Sequence, residues 1–161
     1  MHYILEKILT VRDHRETKSL NHVVQCKEDV RRSVAFQRQK EQELDDYHQW
    51  RQLEEERRFD HLKQQPANVH DLLYYKDTID TLRQDQADRA RRVDEAAKQA
   101  VSAEKTLQQA RRHYAQACRQ KMKIAEHKKI WMEDDRQRTE RQNENELEEI
   151  AQASPNKAGI H

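Results

Sequence analysis

One interruption constrains this chain more than any other feature: the segment Gln64-Gln65-Pro66-Ala67-Asn68, set between two long runs of helix-forming residues. Pro66 has no amide proton and drives Gln65 away from the helical region, so no continuous helix passes through it. Asn68 offers a side-chain oxygen to the orphan amides of a new helix, and Asp71 falls in the first turn, where negative charge suits the dipole. The only other proline is Pro155 and the only glycine is Gly159. Nothing else in the body of the chain supplies a turn. The sequence therefore predicts a helical hairpin with its tip at 64–68.

Composition narrows the choice further. Of 161 residues, 38% are charged and 34% hydrophobic, too little apolar material for a single compact core of that length. Disordered chains of this polarity usually carry a large net charge. Here 31 basic and 30 acidic side chains leave +1, and interleaved opposite charges at helical spacing favour long solvated helices. The expected fold is all-α: two long helices forming an antiparallel coiled-coil hairpin. Cys26 and Cys118 stand alone, with no CxxC or Cys/His cluster around them. That excludes a disulfide framework and fits a reducing compartment. The opening MHYILEKILTVRDHR carries Glu6 and Lys7 inside its apolar run. It reads as neither a signal peptide nor a membrane span, so the expected location is the cytoplasm, without direct membrane insertion.

The first arm is expected over 1–63, the turn over 64–68 and the second arm over 69–150, with a charged overhang from about 133 and a disordered tail over 151–161. Leu20, Val23, Val30, Val34, Leu44 and Leu62 share one three-and-four register in the first arm. Lys27, Gln37, Glu41, His48, Arg51, Glu55 and Arg58 fill its remaining places, so the seam is leaky. Leu72, Tyr75, Ile79 and Leu82 open the second seam, and Ala90, Val93, Ala97, Ala100, Leu107 and Tyr114 continue it. At ~1.5 Å per residue the arms would span about 90 and 120 Å. Equal rise in the two arms puts residues whose numbers sum to about 133 level with each other. This sets apolar against apolar along most of the hairpin.

No motif for catalysis is present: there is no P-loop, GxGxxG, HExxH or GxSxG. A two-helix hairpin has no cavity in which to bury a carboxylate pair and shift its pKa. The nine histidines are scattered. His61 and His70 flank the turn, where exposed histidines are commonplace. The sequence thus points to a protein without catalytic residues, metal or cofactor. Two surface features stand out instead. Trp50, Leu53 and Tyr74 point off the seams near the tip, and a docking patch competes there with local packing against long charged stems. Arg111, Arg112, Arg119, Lys121, Lys123, Lys128 and Lys129 are relieved only by Glu126, and level matching sets them beside Arg12, Arg15 and Lys18. The acidic run Glu133-Asp134-Asp135 follows at once. With the neutral balance of the chain, it argues against nucleic acid as the partner.

The stretch YHQWRQLEEERRFDHLKQQ at Tyr47–Gln65, the HDLLYYKDTIDTLR after the turn and the opening ILEKILTVRDHRETKS resemble the YscO family of type III secretion proteins (SctO), similar in turn to the flagellar protein FliJ. The resemblance implies a non-enzymatic stalk, similar in shape to the central shaft of rotary ATPases. Such proteins sit in the pore of the hexameric secretion ATPase and reach toward the nonameric export gate at the inner membrane. Some members also bind secretion chaperones. On that reading the basic end, with Arg12, Arg15, Lys121, Lys123, Lys128 and Lys129, enters the ATPase ring. The tip region, with Trp50, Leu53 and Tyr74, faces the gate. In FliJ, exposed apolar residues just after the turn contact the gate; the position here that matches an exposed aromatic is Thr78.

Two rival readings remain at this stage. One is a self-assembling structural coiled coil, against which Pro66 argues by breaking the seam; the other is an escort for secreted proteins. A hairpin that satisfies its own seam is expected to be a monomer.

Overall fold

The computed structural model describes residues 3–153. They form two helices, α1 (Glu6–Lys63) and α2 (Val69–Ala153), with no strand among the described residues. The chain is all-α, two long helices packed against each other as a helical hairpin.

The reversal is built without left-handed backbone, since no described residue has a positive φ. Pro66 stops α1, and Asn68 starts α2 through a reciprocal cap. The Asp71 amide donates to Asn68 Oδ1 at 2.9 Å, and the Asn68 amide donates to Asp71 Oδ2 at 3.1 Å. Two orphan donors are satisfied by one pair of side chains, with Asn and Asp in the places usually held by Ser and Glu. His61 and Lys63 close the last turn of α1, where positive charge suits the dipole. At its far end α2 continues through Ala153, past the Ile150 at which the sequence puts its end. The rest of the expected disordered tail lies outside the described residues.

Contacts divide the chain into two units, one made of His22–Arg111 and the other of Met1–Asn21 with Arg112–His161. In the first, Val23 and Cys26 of α1 and Ile79, Leu82, Ala96, Ala100, Leu107 and Ala110 of α2 are buried. Ala96 is 1% exposed, so there is no room for a longer side chain between the helices at that point. The three-and-four spacing is present, but parts of the seam are displaced by one residue from the expected register. Cys26 and Lys40 turn inward where Lys27 and Glu41 were expected, and both of the latter are exposed. Ala96 is more deeply buried than Ala97, and Leu72 is half exposed.

Toward the tip this unit adds a polar layer around the buried Ile79 and Leu82. Tyr47 Oη donates to the Leu82 carbonyl at 3.2 Å while the Arg89 guanidinium lies 4.4 Å from the centre of its ring. Gln86 Oε1 accepts from Arg51 Nε at 2.5 Å and lies 3.3 Å from His48 Nδ1. Glu55 binds Arg51 and approaches Arg83 at 3.5 Å. Burial, then the nearby Asp85, pushes the Tyr47 hydroxyl above the ordinary phenol range. One turn further on, Phe59 meets Tyr75 across the hairpin at 6.3 Å.

In the second unit, ion pairs and one aromatic cluster join the helices. Lys121 Nζ lies 2.6 Å from Asp13 and 2.8 Å from Glu16, and Lys128 Nζ lies 2.7 Å from Glu6. Arg12 donates to Gln120 Oε1. Tyr3 is buried, its hydroxyl 2.8 Å from His127 Nδ1 and its ring 5.4 Å from that of Trp131. In both units these partners are antiparallel: Glu6 with Lys128, Asp13 with Lys121, His48 with Gln86 and Phe59 with Tyr75. Each pair sums to one more than the value expected from equal rise. Past Trp131, every side-chain hydrogen bond or ion pair among the described residues of α2 is made within α2 itself. The two thiols are free, Cys26 buried and Cys118 half buried.

Candidate partner-binding sites

At the tip, α1 and α2 enclose an open pocket of about 350 Å³ lined by Arg57, Arg58, His61, Leu62, Tyr74, Tyr75 and Thr78, among others. Tyr74 is 69% exposed at its rim. Thr78 Oγ1 donates to the Tyr74 carbonyl at 2.8 Å, which turns the hydroxyl back onto the helix. The tip also exposes Val69, Leu72 and Leu73 beside Tyr74. The sequence held a signal for this in Leu72-Leu73-Tyr74-Tyr75, because four adjacent large apolar side chains cannot all lie on one helical stripe. Glu54 supports the α1 wall: Arg57, then Arg58, hold its carboxyl down to about 2 through hydrogen bonds of 2.7–2.8 Å.

Trp50 and Leu53 do not line this pocket. They sit one turn apart on α1, 48% and 67% exposed, and the Trp50 ring rests 5.3 Å from that of Tyr47. The four residues expected near the tip thus fall into two places. Tyr74 and Thr78 share the pocket, while Trp50 and Leu53 share a face of α1 beside the polar layer.

The six basic residues also divide. Lys121 and Lys128 are committed to the carboxylates of Asp13, Glu16 and Glu6. Hydrogen bonds to Asp13, then Glu16, push the Lys121 ammonium above the ordinary lysine range. Arg12 is spent on Gln120. Arg15, Lys123 and Lys129 are exposed, and none has an ion-pair partner among the described residues. Arg15 lines a shallow groove with Arg12, Lys18, His113 and Gln116. Level matching sets Lys121 beside Arg12 and Arg15; that Asp13 and Glu16 take it up is seen only in the folded hairpin.

Among the described residues there is no group of three or more His, Cys, Asp or Glu able to hold a metal ion. Nor is any helix long and apolar enough to cross a membrane.

The chain matches the family model described as Type III secretion protein YscO over residues 5–153. No curated protein matches it. Its fold is similar to the crystal structure of the type III secretion protein YscO from Vibrio parahaemolyticus, with a TM-score of 0.85 and 28% identity, covering 91% of this chain and 92% of that one. It is also similar to a Chlamydia trachomatis protein described as a YscO homolog, with a TM-score of 0.78 and 20% identity, covering 94% and 93% of the two chains. That second likeness speaks for the fold alone. With the family pattern spanning both helices and the turn, the chain belongs to the YscO family of type III secretion proteins.

Proposed function

We propose that this protein is the non-enzymatic central stalk of a type III secretion system, linking the hexameric export ATPase to the inner-membrane export gate from the cytoplasmic side. The observation that carries the reading is a division of labour among like residues. Lys121 and Lys128 bind the hairpin's own carboxylates, whereas Arg15, Lys123 and Lys129 of the same unit are left outward. Cations not used by the fold suit an acidic ring surface, where solvated charges speed association and lose effect as salt rises. The other unit offers a contact of different chemistry, apolar and aromatic at Tyr74 and Leu73, of the kind that anchors a protein partner.

The test is a pair of pull-downs with the full chain. Arg15→Glu with Lys123→Glu and Lys129→Glu is expected to lose the ATPase and keep its helicity, because none of the three serves the hairpin. Tyr74→Ala with Leu73→Ala is expected to keep the ATPase and lose the gate. Retention of both partners by both variants would overturn the stalk reading. Recovery of secreted cargo in place of ATPase and gate would favour an escort, to which the exposed run Val69, Leu72, Leu73 and Tyr74 would also be suited.

A further inference from the structure

The end of α2 poses a problem of its own. From Glu133 to Ala153 it is a helix with no partner among the described residues, and its last turn contains no basic residue while Glu148 and Glu149 lie close by. The segment is helical as the continuation of α2, supported by bonds within the helix such as Arg136 with Glu133, while acidic residues at its carboxyl end oppose its dipole. It leaves a whole turn-by-turn helix surface open to a partner.

Its charge pattern says which partner. Between Arg112 and Met132 the chain holds six Lys or Arg against one Asp or Glu; between Glu133 and Ala153 it holds three against eight. The face of α2 turned away from α1 forms one unbroken three-and-four stripe through both segments. Its exposed positions include Arg112, Arg119 and Lys123 in the first half and Glu140 and Glu144 in the second. Ile130 and Leu147 lie on the same stripe, 56% and 66% exposed. A parallel partner would set like charges against like. An antiparallel copy, with its two-fold axis between Trp131 and Met132, sets Arg119 against Glu144, Lys123 against Glu140 and Gln116 against Leu147, each twice.

We infer that the overhang of one chain docks on the basic stripe of a second copy, forming a weak antiparallel dimer through α2. Few apolar side chains take part, so the contact is mainly electrostatic and reversible. Resting on the stalk reading above, one consequence follows: the dimer covers Lys123, so a chain bound in this way is withheld from the ATPase.

Light scattering and sedimentation of the full chain alone test this without any ATPase, so failure here is separate from failure of the stalk reading. Wild type is expected to dimerise at tens to hundreds of micromolar in 50 mM salt, with a Kd weakening at least about tenfold by 500 mM. R119E/K123E sets acid against acid at both charged pairings, 119 with 144 and 123 with 140, and E140K/E144K sets base against base there. Each alone is expected to stay monomeric, their equimolar mixture to form heterodimers, and the chain with all four changes to dimerise again. These side chains serve no interhelical ion pair among the described residues, so circular dichroism should hold. A wild type that is monomeric at those concentrations in low salt would overturn the proposal. So would single-sign variants that dimerise as wild type does, or a mixture that does not associate.

Discussion

The two units join the same pair of helices by different means. In His22–Arg111 the buried side chains are apolar and half of them are alanine or cysteine, with Ala96, Ala100, Ala110 and Cys26 beside Val23, Ile79, Leu82 and Leu107. In the unit formed by Met1–Asn21 and Arg112–His161 the helices meet through Lys121, Lys128 and their carboxylates, with Tyr3 buried beside His127 and Trp131. Apolar burial is insensitive to salt and unforgiving of volume. Part-exposed ion pairs are worth little each and fade as salt rises. A single hairpin therefore has a seam fixed by shape and another adjustable by its surroundings.

The sharpest way to break this contrast is a cavity in the apolar seam. Leu107→Ala is expected to cost about 2–3 kcal/mol, the low part of the usual range because the core is one layer thick. Urea denaturation measures it, with the loss equal at low and high salt. Filling the same seam comes next. Ala96→Leu should cost about 1–3 kcal/mol by overpacking, and stabilisation instead would mean that the helices have slack there. In the ionic unit, Lys121→Ala should cost less than about 1 kcal/mol at low salt and nearly nothing at 1 M. An effect as large as that of Leu107→Ala would erase the distinction between the units. Smallest on stability are the surface positions: Leu53→Ala and Tyr74→Ala should each stay within about 0.5 kcal/mol. Trp50→Ala should cost somewhat more, about 0.5–1.5 kcal/mol, through its ring contact with Tyr47.

Acid should also separate α1's tip from the rest. Because Glu54 is held down to about 2, its pairing with Arg57 and Arg58 adds stability in full above the ordinary carboxylate range. That contribution is lost as pH falls from about 4.5 toward 2. Glu54→Gln should lower stability near neutrality and flatten the profile in this window, so that variant and wild type converge in acid, which thermal melts from neutral pH downward would reveal.

Much of the fold was legible because one residue decided it. Pro66 stops a helix wherever it stands, and Asn68 with Asp71 starts the next by local chemistry alone. Level matching followed from the rise per residue. The exact phase of the seam was not legible, for a physical reason: between Val34 and Leu44 the first arm offers only one large apolar side chain, Phe36, and that lies off the stripe. With no apolar signal, Lys40 and Glu41 are equal candidates. Paired alanines at 96 and 97 leave the same ambiguity. Cys26 takes the seam place that the register gives to Lys27, because in a helix seam a thiol is a small apolar side chain. The basic residues needed the other half of the hairpin. Nothing in Lys121 itself marks it as spent on Asp13 while Lys123 is left outward.

The placement of the two thiols gives the protein a built-in pair of reporters. Cys26 is buried in the apolar unit and Cys118 is half buried in the ionic one, so each unit carries one free sulfur and neither needs an engineered label. A thiol reagent modifies Cys26 only as often as the helices around it part, and reaches the half-buried Cys118 after a smaller opening of its own seam. Raising salt should leave the slow labelling phase unchanged and quicken the fast one. The unmodified chain then records, on a clock of its own, which seam opens when a partner takes hold.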